Sequence, residues 1–84
     1  MTQFWANGQP IAVRCDANAA PELIHWSNQW QPVTHIAQRW RVDAGWWRLR
    51  TWRDYFKLTT GNGVLLVVYH DLLTDTWHLQ RIYD

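Results

Sequence analysis

Six consecutive apolar residues, Val64-Leu65-Leu66-Val67-Val68-Tyr69, constrain the fold of this chain more than any other feature. Side chains alternate between the two faces of a strand, so this segment is apolar on both. It is far too short to cross a bilayer. Turn-forming residues bound it, Thr60-Gly61-Asn62-Gly63 before and Thr74-Asp75 after. It therefore reads as the middle strand of an antiparallel meander, with strands at 51–60, 64–70 and 76–84. Both faces of that strand need cover, which calls for a small sheet that is closed or strongly curled.

A register follows from the turns. With Gly61-Asn62 as the loop, Phe56 faces Val67 and Arg53 faces His70. With Thr74-Asp75 as the loop, Asp71 faces His78 and Val67 faces Ile82. Phe56, Val67 and Ile82 then form one apolar row, and Lys57, Leu66 and Tyr83 lie on the opposite face. Trp77, Leu79 and Ile82 do not keep one parity, so a bulge is expected near Gln80-Arg81.

Upstream, Asn7-Gly8 is a strong type I′ hairpin signal. It lies between Phe4-Trp5-Ala6 and a half-buried strand over 11–15, with Pro10 at that strand's start. Ile11, Val13 and Cys15 share one face of the strand, which makes Cys15 a core thiol. Residues 16–21 read as a loop and 22–26 as a strand. Ser27-Asn28-Gln29 reads as a tight turn, followed by a return strand up to Val42. Over 33–52 two periods compete: Ile36, Trp40, Ala44 and Trp47 also fit helical spacing. No capping box opens such a helix, and Asp43-Ala44-Gly45 reads as a break, so a strand is expected over about 32–42.

The 84 residues make one small all-β domain, 1–84, read as an antiparallel meander of about six strands curled into a partly open small barrel, and the aromatic content (Trp 8, Tyr 3, Phe 2) provides its core. Disorder, coiled-coil and Cys-rich scaffolds are excluded by composition. A net charge of +1 gives no general drive towards nucleic acid or an acidic membrane. The N-terminus lacks a basic region followed by an apolar run. A cytoplasmic protein with no membrane association is the expectation.

Chemistry-bearing constellations are sparse. The single Cys15 excludes an internal disulfide and a Cys-based zinc site. His25, His35, His70 and His78 lack metal-ligand spacing, and no metal or other cofactor is expected. Asp71 opposite His78 resembles part of a catalytic dyad, but no nucleophile is placed to join it. A cross-strand pair is the simpler reading. Gly61-Asn62-Gly63 is a hairpin turn rather than a phosphate loop. No enzyme activity is expected.

From Trp46-Trp47 onward the order of residues resembles an uncharacterised small bacterial domain. The residues that carry the likeness are Trp46-Trp47, Arg53-Asp54-Tyr55-Phe56, Gly63, Tyr69, Trp77, Leu79 and Tyr83-Asp84. That domain occurs alone, and a similar segment closes ImuB-like proteins, the inactive Y-family DNA polymerase relatives of the error-prone mutasome. Pro10, Val13, Pro21, Trp26 and Trp30 extend the likeness to the standalone form over nearly the whole chain. No polymerase palm and no clamp-binding peptide of the Gln-x-x-Leu-Phe kind is present. The resemblance implies an accessory, protein-interaction role linked to bacterial translesion synthesis or DNA repair.

The remaining signal is a concentration of arginine and tryptophan. Five of the seven arginines fall between Arg39 and Arg53. The candidate partner-binding residues are Arg39, Arg41, Trp46, Trp47, Arg48, Arg50, Trp52 and Arg53. Such a set suits a protein interface, either with another protein or with a second copy in a homodimer. Single-stranded nucleic acid, with bases stacked on rings and phosphates on arginines, is the second reading. A structural core of Trp flanked by solvated Arg is the plain alternative. Asp43 and Asp54 dilute the positive field and favour a protein over nucleic acid.

Overall fold

A computed structural model describes residues 2–46 and 49–83. Six strands account for most of them: β1 (Gln3–Cys15), β2 (Pro21–Trp26), β3 (Gln29–Trp46), β4 (Leu49–Thr60), β5 (Leu65–Asp71) and β6 (Thr76–Tyr83). Each pairs antiparallel with the next, and β1 returns to pair with β6, so the meander closes into an irregular ring-shaped barrel. The expected all-β architecture is the one observed. Among the described residues no helix is long and apolar enough to cross a membrane.

Both faces of β5 are buried, as its sequence requires. Leu66 and Val68 point into the barrel with Phe56, Leu58, Leu79 and Ile24. Val67 and Tyr69 point outward and join Tyr55, with Trp40, Val42 and Tyr83 packed beside them. A row of rings crosses four strands on this outer face. Trp40 stacks on Tyr55 at 5.2 Å, Tyr55 meets Tyr69 at 5.2 Å, and Tyr69 stacks on His78 at 4.9 Å.

The register differs from the one read off the turns. Phe56 faces Val68, and Arg53 faces Asp71. The loop has three residues rather than two: Gly63 donates to the Thr60 carbonyl and takes φ +80°, a turn closed by a left-handed glycine. One extra loop residue slips the pairing by one and exchanges the faces, so the inner row is Phe56, Val68 and Leu79. The second turn is also longer. Asp71 faces Thr76 rather than His78, because the Asp71 carboxylate accepts the Leu73 N–H and starts the turn early. The bulge falls where expected: Val67 faces Arg81 and Val68 faces Leu79, leaving Gln80 unpaired.

Asn7-Gly8 does not make a hairpin. The chain stays in β1, but from Phe4 to Gln9 it gains residues against β6 and bulges outward. Gly8, at φ +71°, passes so close to the outer face that a Cβ there would lie 2.6 Å from the Tyr69 hydroxyl. That hydroxyl donates to the Asn7 carbonyl at 2.8 Å. The left-handed glycine that the sequence offers to a turn therefore lays the backbone over Tyr69. The type I′ geometry appears instead at Ser27 and Asn28, both with positive φ, between β2 and β3. Pro10 lies inside β1, opposite His78, rather than at a strand start. Cys15 is exposed rather than in the core, because a register shift between Arg14 and Cys15 turns it out at the strand's end.

β3 is a strand throughout, as favoured, but it runs past Val42 to Trp46. Asp43, Ala44 and Gly45 do not break it, because Trp52, Thr51 and Arg50 of β4 pair with them in turn. The regular β3–β4 ladder, Gln38 to Trp46 against Leu49 to Lys57, forms an arm; β5 pairs with β4 only from Arg53 onward, so the arm's outer end, 43–46 with 49–52, is two-stranded.

Candidate partner-binding site

The arm gathers the arginine-rich segment. Strand alternation puts Arg39, Arg41 and Asp43 of β3 on the same face as Phe56, Asp54 and Trp52, their partners on β4. This face continues the barrel interior out into solvent. Arg50, opposite Gly45, belongs to it as well.

Asp54 organises the face. Arg41 grips it with both ends of its guanidinium, Nε donating to Oδ1 at 2.7 Å and Nη2 to Oδ2 at 3.1 Å. Arg39 approaches Oδ2 at 3.5 Å. The carboxylate is 10% exposed while the two arginine side chains are 45% and 54% exposed. The hydrogen bond from Arg41 holds the Asp54 carboxyl below the usual carboxylate range, against the upward push of desolvation. Bidentate geometry of this kind fixes both partners in orientation.

A second, looser pair lies further out. Arg50 donates through Nε and Nη2 to Asp43, each at 3.4 Å, and both side chains are half exposed. Arg50 also covers the Trp52 ring at 4.8 Å, with Arg41 at 6.0 Å from the same ring. Arg39 lies over Phe56 at 4.9 Å and closes the open end of the core. Trp52 is half-buried beneath these guanidinium groups.

The other sequence-selected residues fall elsewhere. Arg53 sits on the opposite, outer face, 4.4 Å over Tyr69 and bonded to the Tyr55 hydroxyl at 3.3 Å. It is part of the cover of the aromatic row and does not join Arg39, Arg41 and Arg50. Trp46 ends β3 opposite Leu49. Trp47 and Arg48 lie outside the described residues. The structure thus brings together Arg39, Arg41, Arg50 and Trp52, and makes Asp43 and Asp54, expected only to dilute the field of the arginines, their direct partners. Their signal was alternation: each stands on the face of the arginines it neutralises.

The suspected dyad is not formed. His78 pairs with Tyr69, two ladder positions from the Asp71–Thr76 pair, and its Nε2 is engaged by the Thr76 hydroxyl at 2.9 Å. Burial beneath the Asn7-Gly8 bulge lowers the His78 pKa, which disfavours the charged ring. His70 instead meets Asp75 at 2.8 Å and stacks on Trp77 at 4.5 Å. At Cys15, partial desolvation and the neighbouring Asp16 push the thiol pKa up, which disfavours the thiolate a nucleophile needs. A cleft of about 390 Å³, lined in part by Trp5, His25 and Trp26, opens between β1, β6 and the β2–β3 turn. No sequence motif pointed to it.

Compared with known proteins, the chain matches no family model, no curated protein and no solved structure.

Proposed function

We propose that this protein is a non-enzymatic interaction module that meets a folded protein partner through the arginine face of the β3–β4 arm. One observation carries the reading: Arg39 and Arg41 already share Asp54, and Arg50 already has Asp43. Guanidinium groups held in this way present oriented donors and a flat Trp-backed surface, the chemistry enriched in protein interfaces. A phosphate backbone would have to compete with carboxylates that are already in place. Three arginines facing two aspartates also leave little field to attract a polyanion. The likeness to ImuB-like proteins makes a component of the translesion machinery the first partner to test.

The test sets purified mutasome proteins against a mixed-sequence single-stranded oligonucleotide. The expected result is protein binding that Arg39→Ala weakens. The oligonucleotide should bind no tighter than about 10⁻⁵ M at physiological salt. A salt-steep, submicromolar oligonucleotide titration with Trp quenching, lost in Arg41→Ala/Arg50→Ala, would overturn the reading in favour of nucleic acid.

A further inference from the structure

The arm has a second feature, its free edge. β3 pairs with β2 only through residues 29–32, whereas its pairing with β4 runs from Val33 to Trp46. Along that stretch no strand is paired to the other side of β3 among the described residues. The first half of this edge is blunted by two register shifts, between Val33 and His35 and between Ile36 and Gln38. From Gln38 to Trp46 the ladder is regular, with no bulge and no proline.

Which backbone groups point outward follows from one hydrogen bond. The Leu72 N–H donates to the Trp52 carbonyl at 2.9 Å, so Trp52 turns its backbone groups away from β3. In an antiparallel ladder the residue opposite such a position also turns its N–H and C=O away. That residue is Asp43, and alternation adds Arg39, Arg41 and Gly45. These four residues present a row of unpaired donors and acceptors.

We propose that this edge pairs with the same edge of a second copy, antiparallel about a two-fold axis through Val42, making one continuous sheet across a homodimer. The residues select this register. Arg41 falls opposite Asp43 of the second copy, and Asp43 opposite its Arg41. Arg39 falls opposite Gly45, which leaves room for its long side chain. On the outer face Val42 meets its own equivalent, and Trp40 meets the small Ala44. Only every second residue offers its backbone to the edge, so alternative registers differ by two residues. A shift of that size sets Arg41 on Arg41 in one direction and Asp43 on Asp43 in the other. The chosen register avoids both clashes and pairs large with small. It also links the two ion pairs of the arm into an alternating chain of charge, from Asp54 through Arg41 to Asp43 and Arg50 of the other copy. Half-buried Trp40 and Val42 lie at the border of the outer aromatic cluster, which would continue across the axis. This inference goes beyond the arginine-face reading and stands whether or not that face has a partner.

Two measurements on the full chain test it. Sedimentation equilibrium of the wild type should show a monomer–dimer equilibrium. Asp43→Arg, a change at a half-exposed site, should weaken the dimer about tenfold or more by placing arginines opposite each other. In a Cys15→Ser background, Val42→Cys should form an intermolecular disulfide on mild oxidation. Residues facing each other across the axis without mutual hydrogen bonds stand about 4.5 Å apart, within disulfide reach. Ala44→Cys, which faces Trp40 instead of itself, should not. A wild-type chain that sediments as a monomer overturns the proposal. So does a dimer that is indifferent to Asp43→Arg, or one in which Ala44→Cys cross-links as readily as Val42→Cys.

Discussion

The β4–β5–β6 meander and the β3–β4 arm are built from the same materials, aromatic rings and arginines, but use them differently. In the meander the cations lie over rings. Arg53 covers Tyr69, Lys57 covers Tyr83, and Arg81 lies between Phe4 and Tyr83. These stems, with the Asn7-Gly8 bulge, take the place of a second sheet over the outer face. In the arm the arginines Arg41 and Arg50 go first to carboxylates, and the rings come second. The comparison shows how a chain this short buries both faces of β5: one face by barrel closure, the other by side chains and a loop. It also explains why the arm, which has no such cover, keeps a polar face and an open edge.

The largest expected effect lies in the meander's interior. Phe56, 1% exposed, packs against Trp77 at 5.6 Å and under Arg39. Phe56→Ala should cost about 3–5 kcal/mol, enough to unfold most of a marginal domain. Val42→Ala in the arm removes fewer buried methyl groups and should cost about 1 kcal/mol. Urea unfolding followed by Trp fluorescence measures both. Equal losses would break the distinction between a packed meander and a lightly packed arm.

The outer cover is the next target. Gly8→Ala would force a side chain into positive φ and into His78 and Tyr69 at 2.6 Å. The expected loss is about 2 kcal/mol or more. Gly63→Ala is also at positive φ, but nothing lies within 4 Å of a Cβ there, so it should cost less, about 1 kcal/mol. Thermal melts that rank the two in the opposite order would show that the bulge does not press on the aromatic row.

The contrast between the two regions also decided what could be read from residues alone. The two-faced β5, the meander and the Gln80 bulge were legible because each is a local pattern of apolar parity. The pairings were not, because register depends on loop length. Gly61-Asn62-Gly63 offers a two-residue and a three-residue turn with nearly the same residues, and the choice moves Phe56 from Val67 to Val68. Asn7-Gly8 misled for a related reason. A left-handed glycine serves a hairpin or a bulge equally well, and only Tyr69, more than sixty residues away, distinguishes them. In the arm, the arginine cluster was legible as composition. Its division into Arg39, Arg41 and Arg50 on one face and Arg53 on the other required the ladder with β4.

The smallest expected effect separates the two ion pairs of the arm, and pH sharpens it. Asp54 is nearly buried and doubly held, whereas Asp43 is half exposed and held at 3.4 Å. At neutral pH Asp54→Asn should cost about 1–2 kcal/mol, because it weakens a charge-assisted bidentate contact. Asp43→Asn should fall within about 0.5 kcal/mol of wild type, as exposed pairs do. The folded pKa of Asp54 lies below the carboxylate's usual 3.8, chiefly through Arg41. Its contribution is therefore complete above that value and is lost as pH falls through the lower folded value. The gap between wild type and Asp54→Asn should accordingly be flat from neutral pH down to about pH 5 and narrow below about pH 4. Denaturant titrations at several pH values read this directly. A gap that stays constant into strong acid would mean that the Asn substitution acts through packing and not through the charge on Asp54. The arm would then rest on its Trp52 and Phe56 contacts, as the meander does, rather than on ion pairs.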